Sequence, residues 1–392
     1  MKSIEGKTLK VRSILVVGLV LFFGLGLFLM GFYVGNGYTQ FEKYDLFNDA
    51  YNILQESFLG QVPSGNDLQY AMIRGVLQQI NDPYTILVEP PQHELENDQL
   101  AGKYGGVGAR IEQDTSGQFR IYPYPDSPAS AAGVQNGDVL IQVGQLQISP
   151  DTTADQVQAA LRGKQGTTVK LVVQREITAE KLTISIKREE IPIPSVTWNL
   201  LTEDKQVGII QVNIIADTTP DEIQKAMDDL QTQGVVDFVL DLRNNGGGLV
   251  DAGIKIARLF LKSGAPIMDQ QYKDKPVATF KAEQDGPFAG LPLFVFINHN
   301  TASASEIIAG ALQVNSRALV IGESSYGKDT IQLVYDLSDG SSLHVTSAKW
   351  WVPGLEPPIA GNGIQPDITV ASDPANTLNR RYIDALISAL KR

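Results

Sequence analysis

LPLFVFINHNTASASEIIAGALQ, residues 291–313, combines an apolar strand, a turn of small hydroxyl residues and a helix. Ser303 and Ser305 both lie near the predicted start of this helix. A serine there is usually an N-cap, whose side-chain oxygen accepts a hydrogen bond from the backbone. Serine nucleophiles also recur on strand-to-helix turns, because the turn exposes the hydroxyl beside free backbone N–H groups. This segment by itself leaves both interpretations open.

A second strand end carries a glycine-rich loop. VLDLRNNGGGLVDAG, residues 239–253, runs from a strand through three glycines into a helix. Glycines let backbone N–H groups approach a phosphate or an oxyanion closely, although a tight turn would also require them. Together with the other strands and helices of residues 207–370, these two segments predict an α/β domain.

ALVIGESSYGKDTIQLVYDL, residues 318–337, contains a GxxxxGK pattern that imitates a phosphate-binding P-loop. Asp329 stands where a Ser or Thr should hold magnesium, and the alternation that follows predicts a strand instead of a helix. We therefore expect no nucleotide site. Lys328 can act as a base only if burial lowers its pKa toward neutrality; the simpler alternative is a solvated loop lysine. Gln332, four residues on, returns to the same side of a strand and could hold the lysine amine.

A Ser-His-Asp triad is the competing arrangement. The chain has 3 histidines and no cysteine, so thiol catalysis, disulfides and cysteine zinc sites are excluded. His299 lies four residues before Ser303, and His344 lies in a predicted strand with Asp241 available elsewhere. The spacing of these residues does not support a triad.

The charge balance limits the partners. The 392 residues include 32 Lys+Arg and 44 Asp+Glu, which gives a net charge of -12. An acidic surface argues against nucleic acid as the main partner, since phosphate binding needs basic side chains. The length allows two or three domains.

Residues 13–34 carry no charge and are long enough to cross a bilayer as a helix. Most charged residues of the leader 1–12 are basic, which predicts a cytoplasmic amino terminus. We expect a single-pass signal-anchor in the cell membrane, with the remaining chain on the extracytoplasmic side. A cleaved signal peptide is the alternative, although the apolar run is longer than usual and no small-residue cleavage site follows it.

The remaining chain divides by pattern. Residues 41–100 predict helices, and the amphipathic stretch 41–60 fits either packing onto the protein or pairing of subunits in a homo-oligomer. Residues 101–190 predict a β-rich module with one helix, because short alternating runs lie between Gly, Asp and Ser turns. We assign residues 191–370 to the α/β core and residues 371–392 to a C-terminal tail helix.

These motifs together resemble the C-terminal processing peptidases, which are serine proteases with an embedded PDZ domain. The resemblance covers residues 41–370 in the family's order. It rests on a nucleophile segment, a general-base segment, an oxyanion-side loop, a closing motif and two PDZ features: Asn300–Glu306, Tyr326–Lys328 with Gln332, Asp241–Asn245 with Gly247–Gly248, Gly363–Asp367, and Tyr104–Gly108 with Gly133–Asp138.

The resemblance implies a fold and a set of roles. The fold is multidomain, with a PDZ β-rich module and an α/β protease core of the ClpP/crotonase type. Ser303 would be the nucleophile of a Ser-Lys dyad, Lys328 the general base and Gln332 its orienting partner, without metal or cofactor. The backbone N–H groups of Ala304 and Gly247 would bind the oxyanion.

The PDZ module would bind the free C-terminus of a protein or peptide substrate along a sheet edge. The loop that holds the carboxylate would consist of Gly105, Gly106, Val107 and Gly108. Arg162 resembles the arginine proposed to couple the PDZ domain to the active site. Whether that coupling activates or inhibits stays open.

The sequence departs from the family's pattern in three places. Gly246 replaces a usual Pro, Asp329 replaces a usual Gly, and Gly354-Leu355-Glu356 stands where a Gly-Arg pair is common. An anion beside Lys328 would raise the lysine pKa and weaken the base, unless the Asp329 carboxylate points away from the amine. Two other functions therefore stay open: an inactive, membrane-tethered PDZ adaptor and a Ser-His hydrolase.

Overall fold

A computed structural model of the chain describes residues 45–175, 180–370 and 380–391. No helix within these ranges is long and apolar enough to cross a membrane. The anchor predicted for residues 13–34 lies outside them. The described residues divide into two compact units, with the boundary between Val76 and Leu77.

Two helices follow the apolar spacing seen in the amino-terminal part of the sequence. They are α1 (Asp45–Ser57) and α2 (Gly65–Ile80). The connection between them is held to α1, since the Tyr51 hydroxyl donates a 2.7 Å hydrogen bond to the Pro63 carbonyl. Helices are therefore confirmed at both stretches where the apolar periodicity predicts them.

The first strand of the chain's described part lies in a region that the sequence suggested was helical. Asp82-Pro83 ends the helical run, because proline cannot continue the hydrogen-bond ladder. Strand β1 (Ile86–Val88) follows and pairs with a distant strand, and helix α3 (Pro90–Ala101) comes next. The prediction of helix throughout this region was wrong at β1, whose partner is more than 250 residues away.

The β-rich module is an antiparallel sheet in the order β3-β4-β5-β7-β8, with β6 beside β5 and a separate β2–β9 ribbon. Phe119, Ile121 and Leu171 form its buried core with Val157 of helix α5. Its elements are β2 (Lys103–Gly106), β3 (Ala109–Gln113), β4 (Phe119–Pro123), α4 (Pro128–Ala131), β5 (Asp138–Val143), β6 (Leu146–Gln147), α5 (Ala154–Leu161), β7 (Thr168–Gln174), β8 (Lys181–Lys187) and β9 (Glu189–Pro192).

The α/β core is built on a sheet in the order β10-β11-β12-β15-β16-β19. All neighbouring strands from β11 to β19 are parallel, and β10 is an antiparallel edge. Its elements are β10 (Val196–Leu200), β11 (Val207–Val212), α6 (Thr219–Thr232), β12 (Asp237–Asp241), α7 (Val250–Phe260), β15 (Leu293–Ile297), α8 (Ala304–Val314), β16 (Leu319–Gly322), β19 (Ile368–Thr369) and α9 (Arg380–Leu390).

Helices cover both faces of this parallel sheet. Val295 and Ile297 point into a large cluster that also contains residues of α6, α7 and α8. Phe294 and Phe296, the alternate residues of the same strand, point into a second cluster with Leu386 of α9. Because both faces are buried, the strands are nearly continuous apolar runs.

A second sheet carries the segment after Lys328. It consists of β13 (Pro266–Tyr272), β14 (Ala278–Lys281), β17 (Thr330–Asp336) and β18 (Ser342–Trp351), together with β1. The prediction that a strand and not a helix follows Lys328 is confirmed by β17. The β13–β14 pair is an addition that the sequence pattern did not indicate.

Candidate active site

Three loops meet at one edge of the parallel sheet. They follow β12, β15 and β16, which are neighbours in the sheet, so their carboxyl ends lie side by side. Backbone hydrogen bonds join the loops. The Ala302 N–H donates to the Asn245 carbonyl at 3.0 Å, and the Tyr326 N–H donates to the Thr301 carbonyl at 2.9 Å.

Ser303 lies at the turn between β15 and α8 in an unusual backbone conformation. Its φ is 56° and its ψ is -121°. A non-glycine residue with positive φ is strained, and such strain persists at functional turns such as the nucleophile elbow. Ser303 is half-buried, whereas the Ser305 hydroxyl is fully buried and has no hydrogen-bond partner among the described residues. Ser303 is therefore the serine that a substrate can reach.

A buried carboxylate, Glu306, joins the serine turn to the lysine loop. Its Oε2 accepts hydrogen bonds from the N–H groups of Ser303 at 2.7 Å and Lys328 at 3.1 Å. The two backbone nitrogens therefore lie within about 6 Å of each other. Its Oε1 accepts from the Gly327 N–H and the Ser325 hydroxyl, both at 2.6 Å. Burial raises the pKa of Glu306, and these four hydrogen bonds act in the opposite direction.

The Lys328 amine is half-buried. Burial lowers its pKa, against the raising effect of the negative charges of Glu306 and Asp82. The lysine amine also lies 4.7 Å from the centre of the Tyr84 ring. The pKa of Lys328 is thus shifted downward, which is the direction that a lysine acting as a base needs. The alternative of a freely solvated loop lysine does not fit this burial.

Asp329 does not act on the neighbouring lysine as the sequence suggested it would. Its carboxylate faces the Lys349 ammonium on β18, with 3.7 Å between Nζ and Oδ2. The carboxylates that raise the Lys328 pKa are instead Glu306 and Asp82. The departure at position 329 therefore leaves the net lowering of the lysine pKa in place.

Gln332 lies on β17 near the lysine but makes other contacts than expected. Its Nε2 donates to the hydroxyl oxygens of Thr330 at 3.1 Å and Thr346 at 3.2 Å. No hydrogen bond between Gln332 and Lys328 is present among the described residues. The register shift between Ile331 and Gln332 explains the difference, because a bulge breaks the alternation on which the same-side argument relied.

Of the two expected oxyanion donors, only the Ala304 N–H is free. Ala304 is the first residue of α8, and its N–H has no acceptor among the described residues. The Gly247 N–H already donates to the Asn245 side-chain oxygen at 2.9 Å, so the expectation that it binds the oxyanion is not met in this conformation. The Gly248 N–H has no acceptor within the described ranges.

Gly247 matters to the site because it has no side chain. A Cβ at this position would lie 3.0 Å from both the Ala304 nitrogen and the Ser303 Cβ, so a side chain there would press on the serine turn. Asn245, which holds the Gly247 N–H, is fully buried and also donates to the Val212 carbonyl at 2.8 Å. Asn245 thereby fixes the glycine loop to β11.

The closing motif Gly363–Asp367 wraps around the lysine loop. The Ile364 N–H donates to the Ser325 hydroxyl at 2.6 Å, and the Ser325 N–H donates to the Ile364 carbonyl at 3.2 Å. Asp367 anchors the motif to β16 by accepting the Val320 N–H at 2.7 Å. The motif therefore holds the Glu306 partner Ser325 in place.

The histidines do not form a triad with Ser303. The exposed His299 ring bonds the Glu323 carboxylate at 3.1 Å. His344 lies 3.6 Å from Glu96, and burial lowers its pKa. Among the described residues, no hydrogen bond joins a histidine ring to Ser303.

The four residues expected to bind a substrate carboxylate divide into two pairs. Gly105 and Gly106 belong to β2 and pair with β9; a Cβ on Gly105 would lie 2.3 Å from the Gly163 carbonyl oxygen. Val107 and Gly108 leave the strand, and their N–H groups find no acceptor among the described residues. Gly108 has a φ of 70°, which suits glycine. Successive free backbone N–H groups are a geometry that can bind an anion.

Arg162 lies in the wall of a cleft of about 840 Å³ whose lining includes Gly108, Ile111 and Leu161. Its guanidinium donates to the Asp98 carboxylate of α3 at 2.8 Å and lies 4.7 Å from the centre of the Tyr104 ring. Arg162 thus joins the end of α5 to α3.

Glu306 and Asn245 are the residues that sequence reasoning missed. Ser303 and Glu306 match the S-x-x-E pattern of a capping box, in which the glutamate accepts the N-cap N–H. That signal was available for the bond to Ser303. The bonds to the lysine loop, some 20 residues further on, have no local signal.

A PDZ module and an α/β core with a serine on a strained strand-to-helix turn define a serine peptidase of the PDZ-bearing class. Residues 206–370 match the model of peptidase family S41, and residues 121–175 match the PDZ domain. The carboxy-terminal processing protease CtpA of Bacillus subtilis is 33% identical over 330 residues, which cover 84% of this chain and 69% of that protein.

A carboxyl-terminal-processing protease of Picosynechococcus is 34% identical over 335 residues, which cover 82% of this chain and 78% of that protein. Among solved structures, the photosystem II D1 C-terminal processing protease matches with 30% identity and a TM-score of 0.46, covering 81% of this chain and 86% of that one. The identity to the two proteins from Bacillus subtilis and Picosynechococcus shows that this chain belongs to the carboxyl-terminal processing proteases of family S41.

We expect Glu306→Gln to destabilise the protein, although it is nearly isosteric. A glutamine has one acceptor oxygen, so its NH₂ group would face two of the four donors. We expect the free energy of unfolding to fall by about 3 kcal/mol, measured by urea denaturation. The matched control is Glu283→Gln, an exposed glutamate paired with Arg258, which should change stability by less than about 0.5 kcal/mol. Equal stability of the two variants would contradict the bridging role of Glu306.

Proposed function

We propose that the protein is a Ser-Lys dyad endopeptidase that cleaves exported proteins near or from their C-termini. Ser303 is the nucleophile and Lys328 the general base. The observation that carries the proposal is the shared acceptor Glu306 Oε2, which keeps the backbones of both residues close to each other. The serine turn is strained and accessible, and burial lowers the pKa of the lysine.

In the first step the neutral Lys328 amine takes the proton from the Ser303 hydroxyl as its oxygen attacks the peptide carbonyl carbon. The tetrahedral intermediate then collapses, and the lysine ammonium returns the proton to the leaving amine. This leaves an acyl-enzyme on Ser303. A water molecule, deprotonated by Lys328, attacks the ester, and the product carboxylate leaves as Ser303 regains its proton.

The negative charge of the intermediate needs N–H donors already in place. The Ala304 N–H is the first, since it is free at the start of α8 and sits beside the reacting hydroxyl. We assign the second donor to Gly248, whose N–H has no acceptor within the described ranges and adjoins Gly247 at the serine turn. Each such donor typically contributes about 10²-fold or more to the rate.

Gln332 is held in place by two threonines and makes no hydrogen bond to Lys328 in the part of the chain that the structure describes. Its two amide N–H groups are engaged by Thr330 and Thr346. This fixes the amide plane and leaves the carbonyl oxygen as an acceptor. We propose that this oxygen receives the lysine ammonium after proton transfer.

The PDZ module supplies the preference for chain ends. The free N–H groups of Val107 and Gly108 fit a terminal carboxylate, and the adjoining cleft is lined by the apolar Ile111 and Leu161. Arg162 lies in the same cleft and is bonded to Asp98 outside the module. A bound C-terminus would compete with Asp98 for the arginine, which gives the PDZ module a way to gate the protease.

An inactive PDZ adaptor is the second candidate function. Asp329 is the feature that favours it, since family members usually carry glycine there. The pairing of Asp329 with Lys349 weakens this alternative, because the lysine base keeps a lowered pKa.

We expect Ser303→Ala and Lys328→Ala each to lower kcat by about 10³-fold or more toward an unstructured protein substrate. Ser305→Ala is the matched control and should keep at least half of the activity, because its hydroxyl is buried away from substrate. In the unaltered chain kcat/KM should rise with pH as the amine loses its proton. Full activity in Ser303→Ala or Lys328→Ala would refute the dyad. An active Ser303→Ala together with an inactive Ser305→Ala would transfer the role to Ser305.

The carboxylate loop can be tested by calorimetry in the Ser303→Ala background, where the ligand is not cleaved. We expect a peptide with a free, apolar C-terminus to bind at least 10-fold more tightly than its C-terminal amide. Gly108→Val should abolish the difference, because its Cβ would lie 2.6 Å from the Ser127 Cβ. Gly117→Asn, in the β3–β4 turn, is the control and should bind normally. Equal affinity for acid and amide would contradict carboxylate capture.

The membrane anchor is proposed from the sequence of residues 1–34. We expect the full chain to stay in the membrane fraction after alkaline washing and to be digested by protease added outside the cell membrane. A chain that starts at residue 35 should be released to the supernatant. A washed-off full-length chain would contradict the anchor, and a new amino terminus beyond residue 34 would identify a cleaved signal peptide.

A further inference from the structure

The turn Asp82–Thr85, which precedes β1, lies against the lysine although it is some 245 residues away in sequence. The Tyr84 ring centre is 4.7 Å from Lys328 Nζ. The turn is internally fixed: the Asp82 carboxylate accepts the Tyr84 N–H at 3.2 Å and the Thr85 hydroxyl at 2.6 Å. The dyad described above assigns no role to this turn.

The same turn also reaches the glutamine of the site. The Thr85 hydroxyl accepts the Thr346 N–H at 3.1 Å, and the Thr346 hydroxyl accepts Gln332 Nε2 at 3.2 Å. Strand β1 continues the contact by pairing Ile86 with His344 on β18. The turn is therefore held by β18, the strand that carries the Gln332 partner Thr346, and its tyrosine ring lies against the amine.

We propose that Tyr84 is a positioning residue for the general base: its ring covers the Lys328 amine, excludes water from it and stabilises the ammonium that forms when Ser303 gives up its proton. This inference rests on the proposed dyad and adds a residue to it.

The two effects of the ring act at different stages of the reaction. The ring face cannot replace the hydrogen bonds that water would give the amine, so covering the amine favours its neutral form. Once the amine accepts a proton, the negative face of the ring attracts the cation. The cover thus shifts the resting amine toward its neutral form, and the charge that develops during proton transfer meets a partner already in place.

Tyr84 cannot itself be the base. Burial and the hydrogen bond to the Tyr326 hydroxyl at 3.1 Å raise the pKa of Tyr84 to about 12. Its hydroxyl therefore stays protonated at neutral pH. The charged or titratable groups that face the amine from the packed elements are Glu306 of α8, Asp82 and Tyr84 of the turn, and His344 of β18.

Three substitutions of Tyr84 distinguish the effect of the aromatic ring from the effects of the hydroxyl group and of side-chain volume. Tyr84→Phe keeps the ring and should retain kcat within 2-fold. Tyr84→Leu keeps apolar cover without the ring face; we expect kcat to fall about 10-fold with KM within 3-fold, and the acid limb of the pH profile to move down by about 0.5–1 pH unit. Tyr84→Ala opens the amine to water, so its acid limb should move up. Tyr335→Leu, an exposed tyrosine of β17, is the matched control and should match the unaltered chain.

A second measurement reads the lysine without turnover. The pH dependence of acetylation of Lys328 by acetic anhydride, followed by mass spectrometry in Ser303→Ala, reports the amine pKa directly. This pKa should fall in Tyr84→Leu and rise in Tyr84→Ala, as the acid limbs of the two pH profiles do. If Tyr84→Leu fails to fold, Tyr84→Met replaces it as the ringless variant.

Tyr84→Leu with an unchanged kcat and an unchanged pH profile would overturn the role of Tyr84 while leaving the dyad intact. A larger loss in Tyr84→Phe than in Tyr84→Leu would overturn it too, since the hydroxyl and not the ring would then matter. Full activity of Lys328→Ala would overturn the dyad itself, and that result is distinguishable from both.

Discussion

The Glu306 carboxylate is the contact on which the arrangement of the site depends. Removing a carboxylate from water costs several kcal/mol, and the cost is tolerated only when donors surround the group. Here the donors come from both sides: Ser303 at the start of its own helix, and Ser325, Gly327 and Lys328 of the neighbouring loop. Because Glu306 accepts hydrogen bonds from both segments, the lysine loop cannot move away from the serine turn without losing its three hydrogen bonds to this carboxylate.

This contact exists because the parallel sheet places the loops side by side. β12, β15 and β16 are separated in sequence but are neighbours in the sheet. Asp241 lies opposite Phe296, and Ile297 lies opposite Gly322. The serine turn, the glycine loop and the lysine loop leave from these ends. The second sheet then continues the chain from Lys328 into β17, where Gln332 is paired with Thr346 of β18. The order of the strands in the sheet, and not any single motif, therefore brings the site residues together.

The sequence predicted most of the core because its strands are buried on both faces and read as apolar runs such as LFVFI. It did not decide between cap and nucleophile at Ser303, since both occupy the start of a helix. The structure makes Ser303 the N-cap of α8 with a positive φ, and buries the Ser305 hydroxyl. The Gln332 amide bonds Thr330 and Thr346 and not Lys328, at a bulge in β17 that interrupts the alternation of the strand. The Gly247 N–H differed because the buried Asn245 takes it. Both outcomes depend on tertiary contacts that spacing does not encode.

The pKa of Lys328 depends on a balance between burial and nearby charges, which come from residues far from it in the sequence. Two carboxylates near the amine, Glu306 and Asp82, would keep it charged, yet burial outweighs them and lowers its pKa. Glu306 is largely occupied by four donors, and Asp82 is held by the hydroxyl of Thr85. A third carboxylate, Asp329, is adjacent in sequence, but the register that pairs Thr330 with Lys349 puts a compensating ammonium beside it. The Asp329 carboxylate is thus compensated by Lys349, because strand pairing, and not sequence proximity, determines which charges lie near the Lys328 amine.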